Sequence, residues 1–278
     1  MLRLGLHWSK SGKIMPRKRL IQPTMKVLSL GWGIQSFTLA SMVAIGELEP
    51  IDVAIHSDTG YESKLTYEFA ERWTEWLESH GVHVETVHGT DGTTDQIFNT
   101  SKSGYRFLKI PAFYTQDGKR SIMRRQCTTH WKIRPVRHWI TKNRSKRKVE
   151  QWIGISLDER ERMRISDVKF LTNRFPLVEK RMTRDMCIAW LENHGLEVPP
   201  KSACIFCPYH SEAQWAKTKS VTDDWKRAIE VDELVRNFEL DKEIYLNSQL
   251  KPLAELDLDL QNENDRMEFF DCSGNCWL

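Results

Sequence analysis

The stretch Val27-Leu28-Ser29-Leu30-Gly31-Trp32-Gly33-Ile34-Gln35-Ser36 constrains the fold of this chain more than any other. A short apolar run suited to a buried strand ends in a loop with two glycines, and the loop opens directly into the helical pattern of residues 37–43. A strand feeding a helix through glycines points several backbone N–H groups and the positive helix end at one place. That arrangement describes an anion site, most often one for phosphate. The loop is neither G-x-x-x-x-G-K-S/T nor G-x-G-x-x-G, so the common NTPase and dinucleotide readings do not apply.

Past the loop, the chain alternates between strand and helix patterns. Residues 51–56 read as a buried strand, and residues 64–80 as a helix in which Leu65, Phe69, Trp73, Trp76 and Leu77 recur at three- and four-residue intervals. Gly81 ends that helix, and residues 82–87 alternate as a strand. A helix begun near Pro135 continues over 136–142, a strand comes next over 149–155, and the chain turns helical again from Thr183. This order predicts an α/β fold, a Rossmann-like and mostly parallel sheet flanked by helices. Ligands of such sheets sit beyond the carboxyl ends of the strands, where both the Gly31–Ser36 loop and Ser57-Asp58-Thr59-Gly60 fall. Three stretches are expected: a basic, disordered tail over 1–24, a nucleotide-binding α/β domain over 25–200, and a helical, cysteine-bearing region over 201–278 packed on the core.

Charge is unevenly spread. The net charge of +3 hides a tail with six basic residues and no acid, a block over 102–148 with 15 basic residues against Asp117 alone, and a stretch over 223–271 with 15 acids against six bases. The block suits a polyanion and equally a solvated face. No apolar run approaches the roughly 20 residues that span a bilayer, and no signal-peptide core precedes the six cysteines. The reading is a cytoplasmic chain with no membrane partner, whose clustered cysteines bind metal or do redox chemistry.

Five segments, taken in order, resemble the phosphoadenosine phosphosulfate (PAPS) reductase family within the PP-loop adenine-nucleotide alpha-hydrolase superfamily. Gly33-Ile34-Gln35 is similar to that family's phosphosulfate loop. Ser57-Asp58-Thr59-Gly60-Tyr61, with Thr66-Tyr67-Glu68-Phe69, is similar to its nucleotide-contacting segment. Gln126-Cys127 through Lys132 and Pro135, then Gly154-Ile155-Ser156-Leu157-Asp158-Glu159, then Phe175-Pro176-Leu177-Val178 with Ser202-Ala203-Cys204-Ile205-Phe206-Cys207-Pro208, complete the series. The resemblance covers about residues 25–208. It implies that Ser29, Gly31, Gly33, Gln35 and Ser36 cradle phosphate, and that Asp58, Thr59 and Gly60 meet the ribose or adenine. It further implies that Lys132 with Arg124 or Arg125 neutralises phosphate, and that Arg160, Arg162 and Arg164 surround a further phosphate. Two departures stand out. The family's tandem cysteine is Cys127-Thr128 here, and its C-terminal nucleophile block is approximated by Asp271-Cys272-Ser273-Gly274-Asn275-Cys276 without the closing histidine. Gln35 in place of the acid of ATP-using relatives favours a reductase-like loop.

Cys204-x-x-Cys207 is a metal-ligand spacing. With Cys127 and Cys272 or Cys276 it gives four thiolates, a set suited to an iron–sulfur cluster. Zinc held by Cys204, Cys207, Cys272 and Cys276 is the rival, and a catalytic thiol at Cys272 or Cys276 is the third reading. Cys187 falls at helical spacing with Ile188 and Leu191 and reads as core. Trp32, alone among the tryptophans, falls in the loop and is a candidate to shape the nucleotide pocket. The resemblance points first to an enzyme that binds a PAPS- or APS-type nucleotide and reduces or transfers its sulfur group, with a thioredoxin-type reductant. Two alternatives remain at this point: an ATP-dependent sulfurtransferase acting on nucleic acid, and a zinc-stabilised nucleic-acid-binding module without catalysis.

Overall fold

The computed structural model describes residues 23–258, apart from 91, 101, 105 and 239–241. Its first half runs β1 (Met25–Ser29), α1 (Ile34–Ala44), β2 (Val53–Asp58), α2 (Lys64–Ser79) and β3 (Val84–His88), then the short strands β4 (Phe98–Thr100), β5 (Arg106–Leu108), β6 (Phe113–Gln116) and β7 (Lys119–Ile122). A π-helical turn, Thr128–Ile133, runs straight into α3 (Arg134–Asn143). Next come β8 (Val149–Ile153), a 3-10 turn over Leu157–Arg162, β9 (Leu171–Arg174), α4 (Pro176–Glu179), α5 (Arg184–Asn193), α6 (Glu212–Lys219), α7 (Thr222–Arg236) and β10 (Ile244–Tyr245). No described helix is long and apolar enough to cross a membrane.

Five strands form one parallel sheet in the order β3-β2-β1-β8-β9. β1 is central, pairing Val27 with Val53 on one side and with Gln151 on the other, which explains why its run is apolar without alternation. Strand β2 starts two residues later than its apolar run suggests, because the Asp52 carboxylate folds back onto the Lys26 N–H at 2.8 Å. One face is covered by α1, α2 and α5, over a core that includes Leu28, Phe37, Phe69, Trp152 and Leu191. The other face is covered by α3, through Val136 and Ile140 against Val27, Val53 and Ile55. From β1 the chain winds outward through β2 and β3, then returns to lay β8 on the opposite side of β1. The strand order therefore reverses between β1 and β8, and the crevice at such a switch point is where open α/β sheets bind ligands.

A second core lies beside the sheet and draws on both halves of the sequence. Tyr61, Ile97, Leu108, Ile110 and Trp131 pack there with Ile205, Phe206, Trp215, Val231 and Leu246. The cysteine segment is tied to the sheet edge by an isolated bridge between Glu62 and Cys204 and by the Ile205 N–H on the Tyr61 carbonyl at 2.8 Å. Two antiparallel additions were not expected from the sequence: the β4–β5 pair, and β6–β7 with β10 on its edge.

Candidate functional site: a glycine loop and a cleft at the sheet edge

The loop after β1 is shaped from beneath and behind. Trp32 takes a left-handed backbone (φ 55°), rare for so large a residue, and this turns its indole inward. It is 1% exposed and packs on Phe37, His56 and Phe69, so it props the loop from the core instead of lining a pocket. Ser36 closes the loop: its hydroxyl accepts the Gly31 N–H and donates to the Gly33 carbonyl, both at 3.1 Å. Gly33 is the N-cap of α1 and supplies no capping side chain, and the helix has no acid in its first turn. By contrast α2, α5 and α6 are capped by Ser63, Thr183 and Ser211. The start of α1 thus keeps its N–H groups and positive potential for an anion.

Strand β8 meets this loop at Gly154. A Cβ there would lie 2.8 Å from Ser36 N and 3.0 Å from Ser36 Cα, so only glycine lets the two backbones approach. A few residues on, Glu159 accepts from Gln35 Nε2 at 3.2 Å and is itself paired with Arg162. The 3-10 turn therefore orients the loop glutamine. Ser29 lies within β1, buried, with its hydroxyl accepting from Gln151 Nε2 at 2.7 Å.

Beyond the carboxyl ends of β2 and β3 opens a cleft lined by Asp58, Gly60, His88, Gly89, Thr90 and Gln96. The Asp58 carboxylate accepts the Gly60 N–H at 2.8 Å and the Tyr67 hydroxyl at 2.7 Å, and its other oxygen lies 3.5 Å from His88 Nδ1. Burial and the Asp58 charge push the Tyr67 hydroxyl far above its ordinary range, so Tyr67 acts as a fixed donor. Arg227, reaching over from α7, donates to the Gly60 carbonyl at 3.1 Å and lies over the Tyr61 ring. His56, beside the loop, is buried with Nδ1 3.1 Å from the Leu30 carbonyl, and burial lowers its pKa.

Below the cleft sits a carboxylate that the sequence did not reveal. Glu62 is 2% exposed, pairs with Lys132 at 3.4 Å, and accepts from Thr59 and Ser202 at 3.3 and 3.4 Å. Lys132, expected on a phosphate, is thus already set against a buried acid, which needs a counter-charge where water cannot reach it. Thr59 is buried beneath the cleft, its hydroxyl 3.4 Å from Cys204 Sγ. Gly31, Gly33, Gln35 and Ser36 come together at the loop, and Asp58 with Gly60 at the cleft. The remaining arginines stand elsewhere: Arg124 and Arg160 are exposed, Arg125 lies over the Tyr209 ring at 5.5 Å, and Arg164 donates to the carbonyls of Glu161 and Met163.

Cys127 and Cys204 pack on the second core, and the Cys207 N–H bonds the Cys204 carbonyl at 2.9 Å. Burial, and after it the Glu62 charge, raises the Cys204 pKa well above the ordinary thiol value. Among the described residues no three of His, Cys, Asp or Glu gather as a metal-holding group. Cys272 and Cys276, which complete both the iron–sulfur and the zinc sets expected from the sequence, lie outside the described residues. Cys187 is buried among apolar side chains, which pushes its thiol up to about 12, as its helical spacing suggested.

No family model matches this sequence, and no curated protein matches it. Among solved structures, the chain is similar to a phosphoadenylyl-sulfate (PAPS) reductase from Candida auris in complex with phosphate, at 9% identity over 66% of this chain and 79% of that one, with a TM-score of 0.41. It is also similar to the U34-tRNA thiolase NcsA from Methanococcus maripaludis with its 4Fe–4S cluster, at 16% identity over 81% of this chain and 77% of that one, again with a TM-score of 0.41.

Proposed function

We propose that this chain is an enzyme that binds an adenine nucleotide at the β1–β8 switch point and carries out reduction or transfer of a sulfur group. The observation that carries this reading is the Gly31–Ser36 loop. Its helix end has no side-chain cap, its turn is closed by Ser36, and β8 approaches at Gly154 with no room for a side chain. The anionic group of the nucleotide would meet the N–H groups of Gly33–Ser36, and Asp58 would accept a ribose hydroxyl from the cleft. The best substrate on this reading is a PAPS- or APS-type nucleotide. One of Cys272 and Cys276 would attack its sulfonate sulfur as thiolate, forming an S–S bond and releasing the nucleoside phosphate. A second thiol would then attack the cysteine sulfur, form a disulfide and release sulfite. The sulfur gains the two electrons that the two thiols lose, and a thioredoxin-type dithiol restores the enzyme. No step is assigned to a metal.

Calorimetric titration with PAPS, APS and ATP tests the binding half. At least one should bind in the wild type, with affinity lowered at least about tenfold in Gly154→Ala, the cost of about 1.4 kcal/mol of lost loop geometry. Sulfite release from PAPS or APS with thioredoxin tests the chemistry. Binding of none of the three nucleotides would overturn the reading. ATP consumption stimulated by nucleic acid, without sulfite release, would replace the reduction with an ATP-driven transfer.

A further inference from the structure

The basic block of residues 102–148 is not one solvated face, and the fold sorts its charges into two groups. Several are matched: Lys132 by Glu62, Arg137 by Asp167 and Arg147 by Asp52. Arg120 is held by the Ser248 carbonyl and the Phe113 ring. A second group has no carboxylate in ion-pair contact among the described residues: Lys109 after β5, Lys119 on β7, and Arg134 at the start of α3. Two of these, Lys109 and Arg134, are brought together by the fold. The Gln126 N–H bonds the Lys109 carbonyl at 3.0 Å, the His130 N–H bonds the Gln126 carbonyl at 3.1 Å, and Arg134 Nη1 lies 3.1 Å from His130 Nδ1. Cys127 comes directly after Gln126, so the cationic cluster borders the π-helical turn that carries that cysteine.

Two further observations describe the charge balance of the cluster. Lys109 is partly desolvated, which lowers its pKa, with no acid acting on it to offset the cost. His130 is lowered by burial and then by the positive charges of Arg134 and Lys109, so two cations converge on one imidazole ring. Like charges held together in this way are stabilised by a multivalent anion. The β6–β7 hairpin extends the line: Asp117 and Gly118 (φ 52° and 70°) make a tight turn that presents exposed Lys119. Arg125 over Tyr209 adds a flat cation–aromatic surface of the kind that bases stack on.

We propose that this face binds the sugar-phosphate backbone of a nucleic acid, which runs from the β6–β7 hairpin across Lys109 and Arg134 and past Cys127. The binding stands on this surface alone. That the bound strand is also the acceptor or regulator of the sulfur chemistry rests on the proposed function.

The test is fluorescence anisotropy of the full chain with a labelled single-stranded RNA of roughly 30 nucleotides, and a DNA of the same sequence, between about 50 and 200 mM salt. The wild type should bind at low salt and weaken steeply as salt rises. Lys119→Glu with Arg134→Glu should weaken binding at least about tenfold and flatten the log–log salt slope by about 1.4, the loss of two single-strand phosphate contacts. Lys217→Glu with Lys226→Glu, exposed lysines on α6 and α7, makes the same change in net charge and should leave binding near the wild-type value. RNA and DNA arms separate a 2′-hydroxyl contribution from plain backbone binding. No binding at low salt, equal losses in both double variants, or equal competition by polyglutamate would each overturn the proposal. Nucleotide calorimetry on the same samples keeps the two ideas apart: loss of nucleotide binding with intact nucleic-acid binding removes only the proposed function.

Discussion

The loop edge of the sheet and the cysteine-bearing region beside it are held in place by different means. At the edge, backbone touches backbone: Gly154 closes on Ser36, and Gly89 closes on Trp131, where a Cβ would lie 1.9 Å from the carbonyl oxygen. In the cysteine region, two backbone ties, the Glu62–Cys204 bridge and the Ile205 N–H on Tyr61, are joined by side-chain contacts, namely the Glu62–Lys132 pair, Thr59 against Cys204, and aromatic packing of Phe206 on Tyr61. The second region also keeps buried polar atoms without a described partner, including Trp131 Nε1 and both ring nitrogens of His210. Each such atom costs about 1–3 kcal/mol. An edge built from backbone is fixed in shape and fails when any atom is added. A region built from charges and unpaired polar groups fails when a charge is changed.

The sharpest way to break this comparison is Gly89→Ala. Gly89 has no positive φ, so the substitution carries no backbone penalty and tests close approach alone. One methyl group should cost about 3 kcal/mol, because the π-helical turn must move off β3. The urea midpoint measures it, and a loss under about 0.5 kcal/mol would show that the edge is not built by contact. Next in size is Glu62→Gln, which keeps the shape but leaves Lys132 without its counter-charge. About 2 kcal/mol of stability should go, since hydrogen bonds to a charged group are worth roughly that much. A double-mutant cycle with Lys132→Met should then show positive coupling, and additive losses would remove the pair from the account.

The sequence carried the edge well and the cysteine region poorly, for physical reasons. The unalternating run of β1, the glycine loop and the periodicity of α2 are local signals, and the structure keeps them within two residues. Asp117-Gly118 is also a local signal, the strongest short one for a hairpin, and its two positive φ angles match. The basic residues on either side mask it, because they present the segment first as a block of charge. Glu62 carried no signal at all: an acid in a polar turn looks solvated until Lys132 and Ser202 are brought to it from far along the chain. The inward turn of Trp32 depends on a backbone angle that no residue pattern encodes. Thiol spacing suggests a metal set, and of its members Cys127 and Cys204 pack on one core while Cys272 and Cys276 lie outside the described residues.

The smallest effect is expected from acid, and in the cysteine region it acts through His210. Burial pushes the His210 imidazole down to about 3, with the Lys201 charge as the lesser cause, and the ring packs on Trp215. In the unfolded chain the same group titrates near its ordinary value of about 6.5. The folded state therefore binds fewer protons, so stability is full above about pH 6.5 and declines as pH falls from there toward 3. At one pH unit below the unfolded value, a loss of about 1 kcal/mol is the expected scale. Urea midpoints at pH 7.5 and 5.5 measure it, and His210→Gln should remove about that share of the slope while leaving nucleotide binding at the sheet edge unchanged. A slope untouched by His210→Gln would move the acid sensitivity to another group, with buried His56 at the loop as the next to test. Acid would then act on the edge, and the division between a backbone-built edge and a charge-built neighbour would fail.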